Sequence, residues 1–136
     1  MKIHIYPMDV SVKTPAYADD AQAEYIKRLS RFAQIKIQKS TKKRSGNPVV
    51  QTDRRTLFVI DPKGESISSE NLAAIIDAEM LQGTSTFVFT FDEEYQFFDY
   101  RVSLTSMTMD PFLMQIVLLE QIYRAFKILS NETYHK

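Results

Sequence analysis

The spacing of hydrophobic residues predicts strands and helices in alternation along the chain. Polar and apolar residues alternate over residues 2–6, which is the period-two pattern of a strand with one buried face, and Pro7 ends this run. Over residues 16–32 the apolar positions recur at intervals of three and four, so an amphipathic helix is predicted there. Residues 35–37 predict a short strand with one solvated face, near an edge of the sheet.

The middle of the chain predicts a buried strand followed by a capped helix. Residues 56–60 are an unbroken apolar run of strand length, which is typical of a strand covered on both faces. Residues 61–64 predict a turn, after which Ser68 or Ser69 can cap a helix by accepting hydrogen bonds from backbone N–H groups. Gly83 supplies the left-handed residue that ends this helix.

Two further strands and a long helix complete the predicted order. Residues 86–91 predict a buried strand, and residues 102–104 predict a last short one. Asp110 can cap a helix over about residues 111–130, and Pro111 has the fixed φ that suits its first position. Strands alternating with helices predict an α/β fold with a mostly parallel sheet flanked by helices.

The final helix is apolar on nearly all sides, and one face of a sheet cannot cover so much apolar surface. Two explanations are open. The surplus surface pairs with a second copy of the chain in a symmetric homodimer, or the helix is central and enclosed within its own domain. The apolar positions are Phe112, Leu113, Met114, Ile116, Val117, Leu118, Leu119, Ile122, Tyr123, Ala125, Phe126, Ile128 and Leu129.

Composition adds limits on size and location. A chain of 136 residues, 44% hydrophobic and 25% charged, is typical of one globular domain, here residues 1–136. The lack of Cys fits a reducing compartment, and no stretch approaches the roughly 18 apolar residues of a membrane span, so a cytoplasmic protein without membrane association is expected. With two His and no Cys, no transition-metal site is expected.

The formal net charge of zero hides two charged segments. Residues 36–55 are basic and include Lys42, Lys43 and Arg44, which could follow RNA phosphates with salt-dependent affinity or could simply be a solvated loop. Residues 92–99 are acidic, so the chain is not a polycation that coats nucleic acid by charge alone, and no DNA specificity is expected. Aromatic residues near the acidic segment could stack bases, although packing in the core or a dimer is the default: Phe91, Tyr95, Phe97, Phe98 and Tyr100.

Three segments, in their order and spacing, carry a family resemblance over nearly the whole chain. They are Glu-Tyr-Ile-Lys-Arg-Leu at 24–29, Ile-Asp-Pro-Lys-Gly at 60–64 with Ser-Ser-Glu at 68–70, and Leu-Glu-Gln-Ile-Tyr-Arg-Ala at 119–125 leading to Tyr-His-Lys at 134–136. With them the chain resembles the RlmH family of SPOUT-fold methyltransferases. The resemblance implies a SPOUT-type α/β knot with a C-terminal trefoil knot, a homodimer, and methylation of N3 of a pseudouridine in large-subunit ribosomal RNA by S-adenosylmethionine, without a metal.

The resemblance also implies site residues. Tyr134 and His135 match the family's active-site tail. Arg124 is a candidate to meet phosphate or stabilise that tail, and it can at the same time pair with Glu120 four residues earlier. His135 can titrate near neutral pH, although terminal residues are commonly mobile. The positions that match the family's cofactor pocket are Ile60, Thr90, Phe91, Leu104, Thr105, Ser106, Met107, Thr108 and Met109.

The chain departs from the family pattern in the loop that should hold the cofactor. The family has Gly-Gly-Pro-Glu-Gly where this chain has Thr-Phe-Asp-Glu-Glu at 90–94, so only Glu93 is kept and Phe91 is expected to project a ring into the cofactor slot. The following segment is shorter, and Asp110 replaces a family His. Three functions stay open: a methyltransferase with an altered donor loop, a non-catalytic homologue that binds ribosomal RNA or a ribosomal surface, and a dimeric protein-interaction module.

Overall fold

A computed structural model describes residues 1–8, 13–38 and 54–132 of the protein. The predicted loop at 39–53 and the tail at 133–136 lie outside these residues. The described elements, in chain order, are β1 (Lys2–Tyr6), α1 (Ala16–Leu29), β2 (Gln34–Ile37), β3 (Arg55–Ser66), α2 (Ser69–Leu81), β4 (Thr86–Thr90), β5 (Tyr100–Ser103) and α3 (Pro111–Leu129).

The described strands form a five-stranded sheet in the order β2-β1-β4-β3-β5, and every neighbouring pair is parallel. The predicted α/β fold with a parallel sheet is therefore confirmed. Because all strands run the same way, the loops after β1, β3, β4 and β5 leave from one side of the sheet, the carboxyl edge. The C-terminal knot and the homodimer stay predictions.

Strand β3 has an irregularity that the sequence did not predict. Ile60 and Glu65 both pair with Val102 of β5, so residues 61–64 form an excursion and the strand then resumes. The predictions that the strand ends at Ile60 and that residues 61–64 form a turn between elements are therefore wrong, because this segment is a bulge within β3. A Cβ atom on Gly64 would lie 2.9 Å from the backbone nitrogen and carbon of Val102, so the excursion needs a glycine to pack against β5.

The main core lies between the sheet and the helices. Large side chains of the central strands, such as Phe58 and Phe89, share one cluster with Leu118 and Ile122 of α3, and all four are at most 1% exposed. Helix α3 contacts both α1 and α2 and so lies between them. This arrangement encloses much of α3 within its own domain, although Leu113 remains 41% exposed.

The other face of the sheet has a separate small core. Leu57, Val59 and Val88 are fully buried, and Tyr95, which is 7% exposed, packs with them. Tyr95 follows β4 by five residues, so the chain after this strand folds back across the face opposite the helices. The prediction that β3 and β4 are covered on both faces is confirmed.

The predicted ends of α2 and the predicted start of α3 are also confirmed, whereas α1 ends at Leu29, before the predicted Phe32. The Ser68 hydroxyl accepts a hydrogen bond from the backbone nitrogen of Asn71 at 3.0 Å, and Gly83 has a φ of 103° just beyond α2. The Asp110 carboxylate accepts from two backbone N–H groups of the first turn of α3, and Pro111 opens that helix. None of the helices in the described parts of the chain combines the length and the hydropathy that a membrane span requires.

Candidate site at the carboxyl edge of the sheet

The carboxyl edge brings together the ends of several strands that carry predicted cofactor residues. Ile60 and Thr90 lie at this edge on the neighbouring strands β3 and β4, and they are only 4% and 2% exposed. Ligands of open parallel α/β sheets bind at this edge, because the loops there supply backbone groups and variable side chains. The edge is therefore the place to look for a binding site.

The loop after β4 is compact and fixed at both ends. The backbone nitrogen of Phe91 donates to the carbonyl of Tyr6 at 3.1 Å, and the Phe91 ring is buried in the core shared with the helices. That this ring fills the cofactor slot stays a prediction. The backbone of Asp92 donates to the Thr90 hydroxyl at 3.1 Å, and Tyr95 reaches the core on the opposite face.

The loop after β5 has anchored ends and an open middle. Leu104 and Met109 are half-buried and pack against the main core. The backbone nitrogen of Met107 donates to the Thr105 hydroxyl at 3.1 Å, and Met107 is 69% exposed. The side chains of 106–108 are all exposed. A loop of this kind can offer backbone and side-chain groups to a ligand without disturbing the core.

Three charged residues meet at the same edge, and they form the edge cluster: Asp61, Glu93 and Arg101. The fully buried Asp61 carboxylate accepts from Arg101 Nε at 2.7 Å, with a second contact from Nη2, and from the backbone nitrogen of Lys63 at 2.9 Å. Glu93, in the loop after β4, lies near enough for its charge to interact with that of Asp61. The cluster connects β3, β5 and the loop after β4.

The environment of the edge cluster separates the pKa values of its two carboxyl groups. Burial alone would raise the pKa of Asp61, but the Lys63 N–H, the Arg101 guanidinium and Glu93 together hold that pKa below its ordinary value. Burial and the adjacent Asp61 carboxylate raise the pKa of Glu93, against the opposing charges of Lys63 and Arg101. The two carboxyl groups are therefore shifted in opposite directions.

Asp61 and Arg101 had no predicted functional role. They lie 40 positions apart, and periodicity does not pair such distant residues. The sequence did contain one indication that charged residues meet here. Asp61 directly follows a predicted buried strand and Glu93 follows the next parallel strand, so both residues lie at the same edge of the sheet.

Arg124, a predicted catalytic residue, lies on α3 and forms the predicted ion pair with Glu120, which is compatible with a role in catalysis. Its Nη2 is 2.6 Å from Oε1 of Glu120, and both side chains are about a quarter exposed or less. Gln121 donates to Glu120 at 3.3 Å and accepts from the Ser69 hydroxyl at 2.5 Å, which ties this pair to the first turn of α2. A role for Arg124 in catalysis stays a prediction.

The other predicted functional residues lie outside the described parts of the chain. They are Tyr134 and His135 of the tail and Lys42, Lys43 and Arg44 of the basic segment. A cleft of about 380 Å³ lies elsewhere, between β5 and α2, and contains none of the predicted cofactor residues. Its lining residues are Glu65, Ile67, Asn71, Ala74, Ile75, Asp99, Tyr100, Arg101 and Val102.

The parallel sheet, its helices and the two loops at the carboxyl edge define an α/β protein with a candidate ligand site at its strand ends. The family model described as "Predicted SPOUT methyltransferase" matches residues 1–135. The chain therefore belongs to the SPOUT methyltransferase family. It is also similar to the Ribosomal RNA large subunit methyltransferase H of Ruminiclostridium cellulolyticum. The two sequences are 34% identical over an alignment of 145 positions, which covers 88% of this chain and 91% of that protein. These matches confirm the predicted resemblance to the RlmH family.

Proposed function

We propose that this protein is an RlmH-type methyltransferase that transfers a methyl group from S-adenosylmethionine to N3 of a pseudouridine in large-subunit ribosomal RNA. The observation that carries the proposal is the similarity to a protein named as a ribosomal RNA large subunit methyltransferase, which extends over nearly the full length of both chains. The family model, which matches residues 1–135, includes both loops of the carboxyl edge rather than one motif. The whole chain acts as a single domain, residues 1–136, in the cytoplasm.

The carboxyl edge offers groups that fit the methyl donor. An adenosine needs apolar contacts and a few placed polar groups. The loop after β5 has half-buried Leu104 and Met109 at its ends, with the exposed side chains of 106–108 between them. Ile60, Thr90, Phe91, Thr105 and the rest of residues 104–109 form the proposed donor site. S-adenosylmethionine supplies an electrophilic methyl group when it is bound there.

We assign binding of the RNA substrate, and removal of its proton, to residues of the tail and of α3. His135 holds or accepts a proton near neutral pH, which suits removal of a proton from the target nitrogen. Tyr134 is assigned to substrate handling together with His135, and Arg124 binds a phosphate or stabilises the tail beside its partner Glu120. Lys42, Lys43 and Arg44 contact RNA phosphates, so binding to the ribosome weakens as salt rises.

A homodimer is part of the proposal. Leu113 on α3 is 41% exposed, and Ile116 and Val117, on nearby turns of the same helix, are only half-buried. An apolar strip on the helix that follows the proposed donor loop suits a symmetric partner.

Donor binding is the first test. We expect isothermal titration calorimetry to detect S-adenosylmethionine binding, and we expect its demethylated product, S-adenosylhomocysteine, to compete. Ribosomal large subunits from cells that lack the endogenous modification should then accept radiolabelled methyl groups. Absence of heat with either nucleoside, together with absence of label in the RNA, would contradict methyl transfer and leave a non-catalytic homologue.

Ribosome binding is tested separately. Replacing Lys42, Lys43 and Arg44 together by Ala should weaken sedimentation with ribosomes and reduce its dependence on salt. The matched control replaces three exposed lysines elsewhere by Ala, namely Lys2, Lys13 and Lys63. Equal weakening in both triple variants would show that overall charge, and not the basic segment, governs binding.

A further inference from the structure

We propose that Arg101 and Asp61 are positioning residues, whose ion pair fixes β5 against the excursion of β3 and so holds the loop of residues 104–109 in place beside Ile60 for a nucleoside methyl donor. Each of the two residues acts through the strand that carries it and not by touching the donor. The ligand in this inference rests on the proposed function, whereas the link between the strands does not.

The pairing of β5 with β3 is interrupted in the middle of β5. Val102 pairs with Ile60, before the excursion, and also with Glu65, after it. Only Ser103 then remains of this four-residue strand. A bulge disrupts the ladder of backbone hydrogen bonds next to it, so a short strand beside a bulge has few such bonds to define its register. The position of the loop after β5 therefore depends on side-chain contacts as well as on the ladder.

The Asp61 carboxylate supplies contacts to both sides of this irregularity. Its Oδ1 accepts from the backbone nitrogen of Lys63 at 2.9 Å, which closes the excursion. Its Oδ2 accepts from Arg101 Nε at 2.7 Å, with a second contact from Nη2. The Asp61 side chain is fully buried, and two donors of one planar guanidinium restrict the orientation of Arg101. A single carboxylate therefore ties the excursion and β5 to the same point.

The loop after β5 is connected to Arg101 by a short, ordered segment. Val102 and Ser103, which lead from Arg101 into the loop, are 3% and 5% exposed. The Ser103 hydroxyl donates to the carbonyl of Thr105 at 3.0 Å, and the Thr105 hydroxyl accepts from the backbone nitrogen of Met107 at 3.1 Å. A shift of β5 along β3 would therefore carry the first half of this loop with it.

Asp61 is joined just as directly to another part of the proposed donor site. It follows Ile60, which is 4% exposed at the carboxyl edge. A slip of one residue along a strand is about 3.3 Å, whereas a binding site must keep its groups within about 0.5 Å of their working positions. An ion pair that prevents such a slip keeps Ile60 and the loop after β5 at a fixed separation.

Hydrogen exchange tests the link without any ligand. Amide exchange of residues 102–109 is compared by mass spectrometry in the natural protein and in Arg101→Gln, and we expect faster exchange in the variant because β5 has lost its link to Asp61. Tyr100→Phe is the matched control, since it removes a hydrogen bond of 2.7 Å from the neighbouring position of β5 to Glu79 of α2. This control should leave the exchange of residues 102–109 close to that of the natural protein.

Calorimetry with S-adenosylhomocysteine tests the consequence for the donor site. We expect its dissociation constant to rise roughly tenfold in Arg101→Gln, which is within the range of coupling between separate sites of one protein. Tyr100→Phe should bind as the natural protein does. The titrations are run at a temperature at which circular dichroism shows all three proteins to be folded, so that an unfolded fraction cannot imitate weaker binding.

A double-mutant cycle tests whether Arg101 acts through Asp61. Asp61→Asn keeps an oxygen for the Lys63 N–H but removes the charge that binds Arg101. If the two residues act as a pair, Arg101→Gln and Asp61→Asn combined should weaken binding of S-adenosylhomocysteine much less than the sum of their single effects. Arg101→Lys is a further variant that does not alter the buried position. It keeps the charge but not the planar pair of donors, so its affinity should lie between those of Arg101→Gln and the natural protein.

The outcomes separate the two proposals. Natural exchange and natural affinity in Arg101→Gln, or equal changes in Tyr100→Phe, would overturn a positioning role while leaving methyl transfer intact. Additive effects in the cycle would overturn the part assigned to Asp61. Faster exchange in Arg101→Gln, without binding of S-adenosylmethionine or S-adenosylhomocysteine to the natural protein, would contradict the proposed function and the link to the donor. Faster exchange and weaker binding confined to Arg101→Gln would support the inference.

Discussion

The guanidinium of Arg101 on β5 binds the fully buried carboxylate of Asp61 on β3, and the two residues lie 40 positions apart. The Asp61 side chain has no solvent contact, whereas Arg101 is 41% exposed. The pair closes the excursion of β3 against the edge strand of the sheet. It therefore links the irregular part of β3 to the strand that leads into the proposed donor loop.

Removing the cation should destabilise the protein, because Asp61 would keep a buried charge with fewer partners. We expect Arg101→Gln to lower the free energy of unfolding by about 2 kcal/mol at neutral pH, less than for a wholly buried pair because Arg101 is partly solvated. Urea denaturation measures this change. Arg28→Gln, which breaks an exposed pair with Glu24, is the control and should have a much smaller effect.

The Arg101 effect should also depend on pH. The pKa of Asp61 is below its ordinary value of 3.8, so its ionised form contributes stability above that pH, and the contribution is lost as the pH falls through the pKa of the folded state. The difference between Arg101→Gln and the natural protein should therefore shrink in strong acid. A difference that stays constant down to acid unfolding would show that Arg101 acts through packing alone.

Tyr100 should contribute through its hydroxyl as well as its ring. The hydroxyl donates to Glu79 at 2.7 Å, while the ring stacks on Phe58 at a centroid distance of 5.1 Å. We expect Tyr100→Phe to keep the stacking and lose about 1 to 2 kcal/mol of unfolding free energy in urea denaturation. Tyr17→Phe makes the same change at a residue that is 55% exposed and should have less effect.

Tyr100 also predicts behaviour at alkaline pH. Its hydrogen bond to Glu79, together with burial, raises its pKa to about 12 from an ordinary value of 10.0. The neutral phenol therefore contributes stability below pH 10.0 that is lost as the pH rises toward about 12. Thermal unfolding of Tyr100→Phe should be less sensitive to this pH change than that of the natural protein. Equal sensitivity in the two proteins would show that a group other than Tyr100 governs the loss of stability at alkaline pH.

Gly64 should not tolerate a side chain. The Cβ of an alanine would lie 2.9 Å from the backbone of Val102, and backbone atoms cannot move aside as a flexible side chain can. We expect Gly64→Ala to destabilise the protein by about 2 kcal/mol, as overpacking commonly does. Lys63→Ala in the same excursion keeps the N–H that binds Asp61 and should be nearly neutral. Similar melting temperatures for the two variants would show that the excursion can relax.

Asp110 should stabilise the start of α3. Its carboxylate accepts from the backbone nitrogens of Phe112 and Leu113 at 3.1 and 3.2 Å, and from the hydroxyl of Tyr17 at 3.1 Å. We expect Asp110→Ala to cost about 1 kcal/mol in chemical denaturation, the ordinary value for a lost helix cap. Asp110→Asn keeps a capping oxygen and should retain most of the stability. An equal loss in both variants would assign the effect to the charge instead.

Much of this fold was predictable from local sequence patterns, because strand alternation and helix caps depend on residues that are close together in the sequence. The alternation in residues 2–6 reproduces β1, and the cap at Asp110 with Pro111 reproduces the start of α3. The resumption of β3 after Gly64 was not predictable, since it depends on pairing with β5. The packing predicted for the aromatic residues is confirmed for Phe91 and Tyr95, whereas Phe97 is 76% exposed in the single chain, so for it only packing in a dimer stays a prediction.

The candidate site was predictable only where it follows a strand directly. Ile60 and Thr90 were selected by resemblance, and the parallel sheet places them on adjacent strands at the same edge. The pairing of Asp61 with Arg101 required the order of β3 and β5, which a pattern of hydrophobic positions does not specify. The burial of the Phe91 ring likewise depends on the helices that pack on that side of the sheet.

Tyr95 makes the loop after β4 part of the hydrophobic core as well as part of the candidate site. Its ring packs with Leu57, Val59 and Val88, so a substitution that withdrew Tyr95 would leave these three residues open to water. Mutations selected to change ligand preference in this loop would then carry a solubility penalty, since exposed sheet faces promote self-association. Substitutions that change ligand preference are therefore best tolerated at the central positions of the loop, because side chains there can vary without exposing the sheet face.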